Sequence, residues 1–309
     1  MCARKNRLAL VLIPVLMLLG CELAPPPPPS GGDVLQDSTH RVTSTTGFAG
    51  PEAVRYDPDQ DLFFVSNFDG PGMERDANGF ISRLGPDGTL ETLRFMTGTD
   101  QAPLHAPRGM TIHGDTLWVA DIDGLHGFDR QTGRALAFVD FAEFETGFLN
   151  DLALGPDGTL YVTDTGAEQA AVYRVVGGVP APFVQGLPGA PNGITWDAQR
   201  ARLVLAPWGG YQTFLTIDPV SGAVDTLTTS EGGRFDGIEP YGEGLLVASQ
   251  TDSTLYLLGD ATSRPYIKVP GRPADIGLDT RRSHVAVPYI ALNRVDVWAL
   301  TEAEEPASP

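Results

Sequence analysis

Cysteine is almost absent from this chain of 309 residues. The only two cysteines, Cys2 and Cys21, both lie within the first 21 residues. A domain that follows them has no disulfide framework, so its stability has to come from a buried apolar core. The hydrophobic content of 42% is enough for such a core, and 36 glycines and 26 prolines indicate many turns and few long helices.

Basic residues are also scarce. The chain has 21 Lys and Arg against 39 Asp and Glu, which gives a formal net charge of −18. A surface this acidic is repelled by nucleic acid and by anionic lipid, so we expect no nucleic-acid partner. The charge is typical of a soluble, monomeric domain. A second interpretation is a surface that attracts metal cations.

Long apolar segments are limited to one run at the N-terminus. Leu8–Leu19 is an apolar run of 12 residues, whereas a helix needs about 20 to span a bilayer. Three positive charges precede the run, and this pattern is typical of a signal peptide. Cys21 lies where the run ends, after Leu18-Leu19-Gly20, which resembles a bacterial lipobox. An ordinary signal peptide with an incidental cysteine is the alternative.

The sequence therefore predicts four segments. Residues 1–20 are a lipoprotein signal peptide, and residues 21–39 are a tether that begins with lipidated Cys21 and contains five consecutive prolines. Residues 40–300 are the folded domain, and residues 301–309 are an acidic disordered tail. The protein would then be exported and held by its lipid at the bacterial cell envelope, most simply at the outer membrane.

A repeated pattern runs through residues 40–300. A small or polar residue is followed by a short apolar strand, a turn rich in Asp, Gly and Pro, and a second apolar strand. Six copies can be placed in register, 38 to 56 residues apart, on Glu52, Arg108, Asn150, Asn192, Asp236 and Ala274. About 40 residues is the length of a four-stranded propeller blade. The pattern predicts an all-β, six-bladed β-propeller.

The ends of the repeat region predict how the ring closes. Asn293–Trp298 has the character of the third strand of the last blade, and no fourth strand follows it. Arg41–Ser44 precedes the first copy and could supply that strand from the N-terminal side, which would remove two open sheet edges. A long β-sandwich is the alternative, but sandwiches do not repeat so regularly.

The six register positions carry the candidate chemistry. The first strand of each propeller blade lines the central channel, so these residues should converge at one mouth of it. Four of them offer oxygen atoms: Glu52, Asn150, Asn192 and Asp236. Ca²⁺ takes carboxylate and amide oxygens, and the lack of His and Cys at these positions argues against Zn²⁺. Asx residues that cap turns are the structural alternative.

These residues and their surroundings resemble the family of senescence marker protein 30, the gluconolactonases and the squid-type diisopropylfluorophosphatase. The resemblance lies in Pro51-Glu52, Leu149-Asn150-Asp151, Pro191-Asn192-Gly193-Ile194 and Phe235-Asp236-Gly237-Ile238. It implies a catalytic divalent metal, usually Ca²⁺ although Mg²⁺ or another divalent ion is possible, held by Glu52, Asn192 and Asp236. It also implies that Asn150 is a further ligand or orients the substrate. Such enzymes hydrolyse lactones or phosphotriesters.

Three more residues are candidates for binding a small-molecule substrate. Sugar-lactone members of that family have an Arg where this chain has Phe148, which favours a less polar lactone or ester. Arg108 could hold an anionic intermediate or serve as a structural countercharge, and His105 could lie on the channel rim. Asp121, Asp164, Asp275 and His126 are interpreted as structural.

The expected mechanism is metal-assisted hydrolysis, with Asp236 as general base, as nucleophile or purely as a ligand. A propeller fold does not by itself decide between an enzyme and a binding protein. The alternative function is a non-enzymatic propeller lipoprotein that binds a ligand or protein partner and contains a structural Ca²⁺.

Overall fold

The structure is a computed structural model that describes residues 40–166 and 170–300. The predicted signal peptide, lipidated Cys21, tether and C-terminal tail lie outside these residues. Within them the chain forms 24 β-strands in six four-stranded antiparallel sheets. No helix in these two ranges is long and apolar enough to cross a membrane.

Each of the first five sheets consists of four consecutive strands. After β1 (Arg41–Thr46), blade 1 contains β2 (Pro51–Asp57), β3 (Leu62–Asn67), β4 (Phe80–Leu84) and β5 (Leu90–Thr97), and blade 2 contains β6 (Met110–His113), β7 (Thr116–Asp121), β8 (Gly124–Asp129) and β9 (Ala135–Asp140). Blade 3 contains β10 (Leu149–Leu154), β11 (Leu160–Asp164), β12 (Ala171–Val176) and β13 (Val179–Gln185). Blade 4 contains β14 (Ala190–Asp197), β15 (Arg202–Trp208), β16 (Thr213–Ile217) and β17 (Val224–Thr229), and blade 5 contains β18 (Phe235–Tyr241), β19 (Gly244–Ser249), β20 (Thr254–Leu258) and β21 (Ser263–Lys268).

The sixth sheet joins the two ends of the domain. It consists of β22 (Gly277–Asp279), β23 (His284–Tyr289), β24 (Arg294–Ala299) and, outermost, β1. Strands β1 and β24 are antiparallel, with Thr45 opposite Val295. The predicted six-bladed β-propeller and its closure by an N-terminal strand are both confirmed. The first strand of blade 6 has only three residues, so Ala274 lies just before it.

The apolar core is divided among the interfaces between blades. Six clusters of buried side chains occur among the described residues, and each brings together residues from two neighbouring blades. Phe64 and Phe128, for example, belong to one cluster between blades 1 and 2. Each fully buried side chain of this size contributes about 1.5–3 kcal/mol. These interfaces hold the blades around the channel without any disulfide.

A repeated turn shows how the sequence specifies this local geometry. The segment Gly-Pro-Asp-Gly-Thr-Leu occurs at 85–90 and at 155–160. In both copies the second glycine has a positive φ, 85° at Gly88 and 84° at Gly158. Asp87 and Asp157 each accept a hydrogen bond from the backbone N–H two residues later. The two copies therefore form the same hairpin turn, in which glycine meets the positive φ without a steric penalty.

Candidate active site

Four candidate side chains occupy equivalent irregularities in the innermost strands. The pairing register shifts between Pro51 and Val54, and likewise in β10, β14 and β18. The shifted residues include Glu52, Asn150, Asn192 and Asp236. A β-bulge turns a side chain away from the regular alternation of a strand. The same bulge in four blades gives these polar groups equivalent positions in their blades.

The neighbouring inner strands approach each other closely at this level. A Cβ on Gly193 would lie 2.1 Å from the backbone oxygen of Asp236, so only glycine fits between blades 4 and 5. The backbone N–H of Gly109 donates to the backbone oxygen of Asn150 (3.1 Å). The backbone N–H of Asp275 donates to the backbone oxygen of Glu52 (2.9 Å). The candidate ligands therefore lie on a backbone ring that is fixed from blade to blade.

Glu52, Arg108 and Asp236 form a buried charged group. The Arg108 Nη1 lies 3.9 Å from the Glu52 Oε1, and all three side chains are buried. Burial raises the pKa of Glu52 well above its usual range, and the nearby Asp236 raises it further, while Arg108 opposes both. Burial and Asp151 raise the pKa of Asp236 to about 7. Two carboxyl groups thus face each other with one arginine as countercharge.

The two asparagines complete the oxygen set. The Asn150 Nδ2 donates to the Thr165 Oγ1 (3.0 Å), which donates in turn to the Pro191 oxygen (2.7 Å). The Asn192 Oδ1 and the Glu52 Oε2 are buried without a hydrogen-bond partner. A buried oxygen without a partner is costly. Carboxylate and amide oxygens in this state fit a hard divalent cation such as Ca²⁺.

Arg108 is held between two aromatic rings. Its guanidinium carbon lies 3.7 Å from the Phe148 ring centroid and 4.7 Å from that of Phe68. An Nη2 hydrogen bond to the Gly72 oxygen fixes it further. Phe148, predicted from the sequence to contact substrate, therefore also positions a cation at the mouth through a cation–π contact.

A second layer of charges lies next to this group. Arg55 donates to the Glu239 Oε1 (2.5 Å) and to the Met110 oxygen (2.7 Å). Burial raises the pKa of Asp151 to about 7, and burial together with Asp151 raises the pKa of Asp275 well above its usual range. Five buried carboxyl groups thus surround two arginines, an excess of acid that favours a bound cation or retained protons.

His105 contacts a different group of residues. Its Nδ1 accepts a hydrogen bond from the Ala77 N–H (3.0 Å), and its Nε2 lies 3.6 Å from the Asp123 Oδ2. Asp121, Asp123 and His126 each place one potential ligand atom within 4.8 Å of the other two. We call these three residues the blade-2 cluster. The structure places His105 beside this cluster.

Asp121 also fixes, through backbone hydrogen bonds, the segment that precedes Arg108 in the sequence. Its two oxygens accept the backbone N–H groups of His105 and Ala106, each at 2.7 Å. In blade 3, Asp164 accepts the N–H groups of Gly147 and Phe148 in the same way. Both aspartates were predicted from the sequence to be structural, and these hydrogen bonds to neighbouring loops agree with that prediction.

Sequence analysis missed two kinds of residue. Gln250, whose Nε2 donates to the Asp236 Oδ2 (2.7 Å), lies directly after the second strand of blade 5, the position that Thr165 occupies beside Asn150 in blade 3. The residues directly after the register positions, Asp151 and Asp275, contribute charge to the channel. The alignment of the six copies contains that second signal, since an acidic residue replaces a small one at these two positions.

No protein-family model matches this chain, and no curated protein matches it by sequence. Solved structures do match. A gluconolactonase from Xanthomonas campestris has a TM-score of 0.65 and 16% identity, over 88% of this chain and 99% of that one. A streptogramin B lyase has a TM-score of 0.60 and 14% identity, over 84% of this chain and 97% of that one.

A virginiamycin B lyase from Staphylococcus aureus has a TM-score of 0.59 and 13% identity, over 84% of this chain and 99% of that one. At identities this low, the structural similarity shows a shared fold and nothing finer. The structural neighbours of the chain are thus gluconolactonases and related propellers.

Proposed function

We propose that the protein is a hydrolase that depends on a divalent cation, most simply Ca²⁺, and acts on a lactone, ester or phosphotriester. The cation would be held by Glu52, Asn150, Asn192 and Asp236. The observation that carries the proposal is the pair of buried oxygens without partners, Glu52 Oε2 and Asn192 Oδ1, at the same mouth as a second buried carboxyl group. The gluconolactonase among the propeller neighbours supports hydrolysis, whereas the streptogramin B lyase among them represents another reaction class.

The chain's own residues can supply the remaining chemistry. A bound divalent cation would polarise the carbonyl or phosphoryl oxygen of the substrate. Asp236 would accept the proton of a water whose oxygen attacks the carbonyl carbon. The C–O bond of the lactone ring or of the ester then breaks, and the departing alkoxide takes the proton that Asp236 accepted. Direct attack by Asp236 on the carbonyl carbon is the second route, and one turnover in ¹⁸O-water, with ¹⁸O sought in Asp236, distinguishes the two.

Arg108 and Phe148 would shape the substrate end of the site. The guanidinium can stabilise negative charge on the tetrahedral intermediate, and Phe68 and Phe148 hold it in place. The exposed part of Phe148 offers an apolar contact, which favours a substrate less polar than a sugar lactone.

We also propose that the enzyme works outside the cytoplasm. Residues 1–20 would direct export, and lipidated Cys21 with its proline tether would hold the propeller at the cell envelope. The basis is the sequence pattern alone. Labelling cells with a palmitate analogue tests it, because a Cys21→Ser variant should lose the label and leave the membrane fraction.

The decisive experiment combines metal analysis with a substrate screen on the full chain in detergent. We expect Asn192→Ala to weaken Ca²⁺ binding at least about tenfold and Asp236→Asn to lower kcat/KM at least about 100-fold. Asn78→Ala, an exposed asparagine, is the matched control. Equally weak Ca²⁺ binding by wild type and Asn192→Ala would refute the metal site. Tight binding without turnover of any lactone, aryl ester or phosphotriester would favour the partner-binding propeller.

A further inference from the structure

The blade-2 cluster has a chemistry different from that of the channel mouth. The mouth offers only oxygen atoms, whereas Asp121, Asp123 and His126 offer two carboxylates and one imidazole nitrogen. Imidazole ligands favour zinc and other first-row transition dications over Ca²⁺. The two groups of residues would therefore select different cations.

Two atoms of the cluster lack a well-formed hydrogen bond. The His126 Nε2 is buried, in a side chain with 3% exposure, and its contact with the Asp121 Oδ2 is long, at 3.5 Å. The Asp123 Oδ1 is buried without a hydrogen-bond partner. Phe138, with its ring centroid at 4.7 Å, packs against the imidazole of His126, and Phe128 stacks on it at 5.9 Å. An imidazole packed in this way cannot turn its Nε2 toward another partner, so the nitrogen remains directed at the carboxylates.

Holding the neighbouring loop does not explain this arrangement. Asp164 in blade 3 holds its own loop with the same backbone hydrogen bonds, and Tyr173 occupies the position of His126 there. Blade 2 adds the His126 imidazole to the aspartate. The backbone hydrogen bonds to the loop therefore do not require His126.

The distance between two of the ligand atoms suits a small dication. Ligand atoms at about 2 Å from a tetrahedral ion lie roughly 3.3 Å apart. The His126 Nε2 and the Asp121 Oδ2 are 3.5 Å apart. His105 is not a ligand, because its Nδ1 accepts the Ala77 N–H and its Nε2 therefore carries a proton, which points toward Asp123. It can orient that carboxylate, as second residues around metal sites do.

We propose that Asp121, Asp123 and His126 form an accessory site for a transition dication of the Zn²⁺ class, separate from the oxygen site at the mouth. Three protein ligands leave one position for water, on the side where Asp123 is partly exposed. The ion would fasten the segment 105–108, which Asp121 already holds, and would thereby fix the approach to Arg108.

The test uses full-length protein without an affinity tag, stripped by chelator and titrated with Co²⁺, whose visible absorption reports its ligands. We expect one bound ion that Zn²⁺ displaces and Ca²⁺ does not. Asp123→Asn should weaken binding at least about tenfold, and His126→Gln should abolish the absorption. His113→Gln, which replaces an exposed histidine, and Asn192→Ala should change neither the affinity for Co²⁺ nor the absorption.

The outcomes separate this inference from the proposed function. Loss of Ca²⁺ binding in Asn192→Ala with retained Co²⁺ absorption would show two independent sites. If wild type binds no Co²⁺, or if Asp123→Asn and His126→Gln bind it as well as wild type, the cluster is only a hydrogen-bonded His–Asp group. If His126→Gln fails to fold, Co²⁺ binding by Asp123→Asn still tests the proposal, because Asp123 is partly exposed.

Discussion

The guanidinium of Arg108 lies 3.9 Å from the carboxylate of Glu52. A fixed positive charge therefore stands beside the residues proposed to bind a cation. At this distance two unit charges interact by about 4 kcal/mol at an effective dielectric constant of 20. Arg108 would consequently lower the affinity of the proposed site for a divalent ion, and we expect its charge to serve the substrate instead.

Replacing Arg108 with methionine should have opposite effects on metal binding and on turnover. We expect the Kd for Ca²⁺ to fall at least about tenfold, because the competing charge is gone, while kcat falls. Calorimetry and steady-state kinetics measure the two quantities. Arg174→Met, an exposed arginine over Phe183, is the control and should change neither. Unchanged Ca²⁺ affinity in Arg108→Met would mean that the ion lies elsewhere.

The contact between blades 4 and 5 gives a prediction about stability. Gly193→Ala would place a methyl group 2.1 Å from the backbone oxygen of Asp236, which cannot move without disturbing β18. We expect a loss of at least about 2 kcal/mol in the free energy of unfolding and weaker Ca²⁺ binding. Gly210→Ala is the control, since nothing lies within 4 Å of a Cβ there. Equal melting temperatures for the two variants would contradict the close approach.

A buried ion pair at the end of β2 gives a pH dependence. Burial favours the neutral form of Asp57, but hydrogen bonds from Gln60 and Arg130 outweigh it and lower the pKa. A lowered folded-state pKa stabilises the protein above the unfolded-state value near 4, and that contribution disappears as pH falls below it.

Arg130→Met should remove the arginine's part of that contribution, while Gln60 still donates to Asp57, and leave a buried carboxylate without its countercharge, at a cost of about 3–5 kcal/mol near neutral pH. The deficit relative to wild type should therefore be large at pH 7 and shrink toward pH 3. Denaturant unfolding at several pH values measures it. A deficit that is the same at every pH would show that Asp57 does not titrate with this pair.

The closure of the ring predicts the effect of removing β1. Deletion of residues 41–46 from the full chain exposes the edge of β24, which β1 pairs along its length. An exposed edge strand promotes pairing between molecules. We expect a lower melting temperature and concentration-dependent aggregation, measured by calorimetry and light scattering. A deletion of the same length within 301–309 is the comparison, and an equal effect of both deletions would refute the role of β1.

The sequence predicted the architecture because each blade repeats the same short code. A small or polar register residue, a short apolar strand and a turn rich in Asp, Gly and Pro recur in enough copies to set the register, and Arg41–Ser44 has the strand character of a missing fourth strand. The blade-2 cluster could not be predicted in this way. Asp123 and His126 interrupt no pattern, and their proximity to Asp121 depends on a tight β7–β8 connection.

The bulge recurs in the innermost strands of blades 1, 3, 4 and 5 and gives four equivalent positions, each with a polar side chain. In blades 2 and 6 the corresponding residues, Arg108 and Ala274, lie just before the first strand. Because the backbone supplies the position in each bulged strand, one substitution there can add or remove a functional group while the fold stays the same. Such a ring can diversify its chemistry one blade at a time.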